Sequence, residues 1–219
     1  MKYYRYSMNM LKLNIFCIVL MIFVFIIIGW MGLFSYLDFK CLILYFFWMF
    51  LHEFIHGIGF YISGVEHKNI VYGANLEKGI FYCMCKEKIN KNGIMISLLF
   101  PLVFIGIITL IVGIILHNPI LIILSLLNIA GCAGDIAMAF SFFRLPLFSY
   151  LDLDDCTGFV LVSSNDLSKY KLFGLDLVES GSYSKLGVAS DFKKFTISKL
   201  SWIVFIILLF ALFISFFCK

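Results

Sequence analysis

Charged side chains are scarce in this chain. Asp, Glu, Lys and Arg make up 14% of 219 residues, against 63% hydrophobic, and the mean hydropathy is +1.03. Soluble domains carry about 25% charged residues, so this scarcity excludes an ordinary water-soluble globule and points to a membrane protein. The net charge of +4 is too small to argue for a nucleic acid partner. A disulfide framework is lacking as well, because the seven cysteines are odd in number and four of them fall in apolar runs. Cys83 and Cys85 form a CxC with no second pair, which is an ordinary loop pattern and a weak metal site. There is no internal repeat, no phosphate-binding glycine loop and no nucleophile elbow.

Long apolar runs are abundant. A spanning helix needs about 20 such residues, and five segments qualify: Asn14 to Tyr36, Cys41 to Ser63, Ile94 to Leu116, Pro119 to Phe143 and Ile197 to Phe217. The first follows Lys2, Arg5 and Lys12 as a signal peptide would. Its length and the lack of a small-residue cleavage site make it an anchor instead. With a cytoplasmic amino terminus, every Lys and Arg except Lys40 and Lys219 falls inside. The expected architecture is an all-α polytopic membrane protein. It has a membrane core over 1–143, a cytoplasmic polar segment over 144–196 and a final helix over 197–219.

Two spans carry groups that are expensive in lipid, roughly 2.5–3.5 kcal/mol each. The second reads WMFLHEFIHGIGF and places His52, Glu53 and His56 in an HExxH pattern. Residues i and i+4 share a helix face, so both imidazoles can address one ion, for which zinc is the fitting choice. Glu53 flanks that site and can take a proton from a bound water. The bland reading is a polar cluster that holds helices together.

A catalytic zinc usually has three protein ligands. His67 lies in a loop and His117 at the opposite surface. Asp135, in the fourth span, is the better candidate. Both His56 and Asp135 lie about 15 residues, or about 22 Å, from the outer end of their spans. Small residues around Asp135 (Ala130, Gly131, Ala133, Gly134, Ala137) and Gly57 and Gly59 on the second span permit close helix approach. Asn128 shares a face with Asp135. It suits either an oxyanion-stabilising role or an interhelical hydrogen bond. Cys132 is a neighbour rather than a ligand.

These residues resemble a bacterial family of membrane zincin peptidases, itself distantly similar to the site-2 intramembrane metalloproteases. The marks are HEFIHG at 52–57, FYC at 81–83, FP at 100–101, Asn128 with GDI at 134–136, RLP at 144–146 and Asp152. The resemblance implies zinc on His52, His56 and Asp135, Glu53 as catalytic carboxylate, and a bacterial plasma membrane location. The site-2 enzymes place the aspartate before a glycine and after Asn-x-x-Pro. Here glycine precedes it, and no proline intervenes.

Outside the spans, Asn69 to Lys88 reads as a β-hairpin at the membrane surface. Its edge could pair with an extended substrate. Asp152, Asp154 and Asp155 read as a solvated loop without calcium spacing. The rest of the polar segment suggests a few strands packed on the hairpin, with a flexible link from Ser180 to Ser190. The functional expectation is a zinc-dependent intramembrane endopeptidase acting on membrane proteins or peptides near the cytoplasmic face. Its rival is a non-proteolytic zinc-binding scaffold or immunity-type protein, which would show a fourth ligand. A proton-relay transporter is disfavoured by the short chain and the lack of inverted repeats.

Overall fold

The computed structural model describes residues 1–75, 80–152 and 158–182. The chain opens with a strand, β1 (Lys2–Met8), in the basic segment before the first apolar run. Asn9 then caps helix α1 (Met10–Trp30) by accepting the Lys12 N–H. A short turn, Leu33–Tyr36, leads to α2 (Phe39–Ile62). Asp38 caps α2 through the Cys41 N–H at 2.8 Å. Gly64, at φ +94°, ends it in the left-handed conformation glycine tolerates best.

Strands β2 (Ile70–Asn75) and β3 (Ile80–Cys85) form the expected hairpin. It does not lie flat at the end of the bundle. It runs back along α2, because its aromatic face packs there. Tyr72 stacks on Phe54, and Phe81 packs on Phe50 at 4.7 Å and on Phe46 at 6.2 Å. The Tyr72 hydroxyl fills the place of a side chain at Gly57, where a Cβ would meet it at 1.7 Å.

A two-residue strand, β4 (Ile89–Asn90), precedes α3 (Lys91–Pro101). After Pro101 the helix widens into a π-helical stretch, Leu102–Ile108, and resumes as α4 (Thr109–Ile115). Pro119 starts α5 (Pro119–Gly131) at a position where its missing N–H costs nothing. The next helix, α6 (Ala133–Phe143), is bent 49° from α5. The fourth apolar run is therefore a broken rod, with the break at Cys132 among small residues.

The polar stretch then contributes β5 (Ser149–Asp152), β6 (Gly158–Ser163) and β7 (Leu175–Ser182). These join an antiparallel sheet of order β4-β5-β6-β1-β7. The expected strands form; they hydrogen-bond to β1 and β4, and β5 also contacts β3 of the hairpin. Ser180 to Ser182, expected in a flexible link, are the end of β7. The inner face of the sheet buries Tyr4, Tyr6, Phe159 and Leu161 against Phe142 of α6 and Leu98 of α3, so sheet and helices share one core.

Among the described residues, three helical stretches are long and apolar enough to cross a membrane: α1, α2 and Lys91–Ile115. They become four if the bent α5–α6 pair is one span. The expected fifth, Ile197 to Phe217, lies outside the described residues, as do Asp154 and Asp155. The all-α description fits the apolar part, and the five-stranded sheet adds a β layer to it.

Candidate metal centre

Local sequence sets each side chain of the site. The HExxH spacing puts His52 and His56 one turn apart on α2, with ring centroids 4.8 Å apart. Asp135 sits in the first turn of α6, where the positive end of the helix dipole favours a carboxylate. The bend at Cys132 turns that first turn toward α2. Gly59 allows α2 to touch α3, since a Cβ there would lie 2.6 Å from the Ser97 backbone.

The result is a triangle. His52 Nε2 lies 3.1 Å from His56 Nε2, and Asp135 Oδ2 lies 3.2 Å and 3.4 Å from these two nitrogens. Tetrahedral ligands at about 2.0–2.1 Å from zinc stand roughly 3.3 Å apart. The three atoms already have that spacing, so the residues present fit the ion. Among the described residues, two overlapping sets could hold a metal: His52 with Glu53 and His56, and His52 with Cys132 and Asp135. Cys132 Sγ lies 3.9 Å from His52 Nδ1 and within 4.8 Å of an Asp135 carboxylate oxygen.

Both imidazoles are held from behind. His56, 7% exposed, faces the Ser97 carbonyl with Nδ1 at 2.8 Å. The Ser97 hydroxyl returns a bond to the His56 carbonyl at 2.9 Å. His52 Nδ1 lies 3.0 Å from Asn128 Oδ1. These contacts fix the rings with Nδ1–H as donor and leave Nε2 for a metal. Asn128 also donates through Nδ2 to the Pro101 carbonyl at 3.3 Å. Of the two roles open to Asn128 from sequence, its amide is engaged in the interhelical one at both ends.

Glu53 holds a different partner. The Cys83 backbone N–H of β3 donates to its carboxylate. The Lys86 N–H faces β2, through the Asn69 carbonyl at 2.9 Å. Successive N–H groups along a strand point to opposite sides, so Cys83, three residues before Lys86, presents its N–H on the outer edge of β3, toward Glu53 of α2. A cavity of about 480 Å³ runs from His52, Glu53, His56 and Asp135 along this edge, within the range of small-ligand clefts. Its far wall is the start of α1, at Leu13, Asn14 and Cys17. His67 and His117 are in turns outside the site.

Ser97, Pro101 and Cys83 act through main-chain groups, which side-chain chemistry in the sequence does not announce. A Pro four residues after a Ser was the available signal for the first two. No curated protein and no solved structure matches the chain. Residues 45–150 match the model of the family described as "Putative zincin peptidase". They hold every side chain of the triangle together with Glu53 and Asn128, and over this core the chain is similar to that family.

Proposed function

We propose that the protein is a zinc-dependent intramembrane endopeptidase, with the sheet on the cytoplasmic side. The observation that carries this reading is the triangle of two imidazole nitrogens and one carboxylate oxygen, spaced at 3.1–3.4 Å, with Glu53 beside it. His52, His56 and Asp135 would hold the metal. Bound zinc supplies a Lewis acid and lowers the pKa of a bound water to about 7. Glu53 removes a proton from the attacking water and returns it to the departing amine as the peptide bond breaks. Asn128 keeps the His52 ring in place rather than touching substrate.

Peptide bonds inside a helix are shielded, so the substrate must be extended at the point of cleavage. The outer edge of β3 borders the cavity beside Glu53 and suits strand addition by such a segment. Membrane-embedded proteins or peptides are the substrate class this geometry fits. A closed structural site, which a scaffold would need, requires a fourth protein ligand. Cys132 Sγ lies 3.9 Å from His52 Nδ1, the nitrogen that faces Asn128 and not the Nε2 that faces Asp135.

Metal content and cleavage together test the reading. The probe is a single-span reporter with a glycine-rich, helix-poor segment, reconstituted with the purified protein in liposomes. H56A and D135A are expected to lose zinc. Glu53→Gln is expected to keep zinc and lose cleavage. A fully active Glu53→Gln protein, or full zinc retention by D135A, would overturn the assignment of those residues.

A further inference from the structure

In an α-helix each carbonyl accepts the N–H four residues ahead. Pro101 has no N–H, so the Ser97 carbonyl lacks its helical donor. The next donor along, the Leu102 N–H, goes to the Leu99 carbonyl instead. Ser97 is 1% exposed, and a buried carbonyl left without a partner is costly. His56 Nδ1 occupies this place, at 2.8 Å.

The effect continues one turn on. Past Pro101 the ladder widens into the Leu102–Ile108 π stretch, and the Pro101 carbonyl accepts from Asn128 Nδ2. The oxygen of the same amide meets His52 Nδ1. One interruption of α3 thus stands behind both rings, directly for His56 and through Asn128 for His52.

We propose that Pro101 is a positioning residue for the metal centre: by withholding one N–H it makes available the Ser97 carbonyl that orients His56 with Nε2 toward Asp135, and its own carbonyl holds the Asn128 amide that faces His52. The inference rests on the metal-site reading above. Proline kinks in spanning helices also serve packing alone. What distinguishes this one is which carbonyl it leaves open and which ring atom fills it. Replacing Pro101 by alanine supplies an N–H that competes with His56 for Ser97 and straightens the turn that carries the Asn128 anchor.

The test is zinc affinity of the purified full-length chain, measured by competition with a chromophoric chelator, beside the visible spectrum of the cobalt-loaded protein. Pro101→Ala is expected to weaken zinc binding about 10–100-fold, as loss of an outer-shell partner does. Its cobalt bands should shift, while the metal-free protein melts within a few degrees of wild type. Wild-type affinity with an unchanged cobalt spectrum would overturn the proposal. A second variant covers the case in which Pro101→Ala does not fold. His56 bearing a methyl group on Nδ1 keeps Nε2 for the metal but cannot donate to Ser97. It should show the same loss, and wild-type affinity there would equally overturn the proposal. If the unmodified chain binds no zinc at all, the functional reading fails. If it binds zinc but is indifferent to both changes, this inference alone fails.

Discussion

At the scale of single residues, the site depends on places where a side chain is absent. Gly59 is the clearest case, because a Cβ there would meet Ser97 Cα at 2.6 Å and the contact is with backbone. Neither helix can relieve it by turning a rotamer. Gly59→Ala should therefore separate α2 from α3, cost about 1–3 kcal/mol as overpacking does, and break the His56–Ser97 pair. The checks are thermal melting and zinc affinity, and both should fall together. Gly134 is the internal control. A Cβ there meets nothing within 4 Å, although the residue adjoins Asp135. Gly134→Ala should be neutral or stabilising by up to about 1 kcal/mol, since alanine is the better helix former. If Gly59→Ala melts and binds zinc like Gly134→Ala, the close approach of α2 to α3 is not what holds His56.

At the scale of elements, the hairpin ties Glu53, the proposed general base, to the cavity. The Cys83 N–H points away from β2 and toward Glu53, and an edge position of that kind tolerates proline. Cys83→Pro removes one N–H and leaves the β2–β3 ladder intact. Hydrogen bonds to charged groups contribute about 1.5–3 kcal/mol, so cleavage should fall about 10–100-fold while zinc content stays at the wild-type level. A loss of zinc would show that the hairpin supports the metal site itself.

The elements also show what was legible beforehand. The imidazole pair was legible because i,i+4 spacing is a local property of one helix. Asp135 was legible because a lone acid among Ala and Gly in an apolar run has few reasons to be there. Strand β1 was not, although Tyr3, Tyr4 and Tyr6 are β-prone. Its partners lie more than 150 residues away, from Gly158 to Ser163 and from Leu175 to Ser182. The broken fourth rod and the π stretch were hidden because hydropathy reports apolarity and not the hydrogen-bond pattern within it.

At the scale of the whole molecule, β1 links the sheet to the bundle. It lies between β6 and β7, paired to both, and it runs directly into α1 through the Asn9 cap. Its inward residues Tyr4 and Tyr6 are 1% and 2% exposed and pack in the same core as Phe142 and Leu98. Loss of β1 would therefore strip β6 and β7 of a shared neighbour and open the core beneath α6, the helix that carries Asp135. An outer strand could fray without this effect, because only one ladder would be lost. Deleting residues 2–8 should lower the melting temperature by far more than Cys83→Pro does. It should also weaken zinc binding through displacement of α6, though the deletion removes no residue of the site. Melting and zinc titration of the truncated chain measure both. Wild-type zinc affinity in a destabilised truncation would show that the sheet stabilises the protein without setting the position of Asp135.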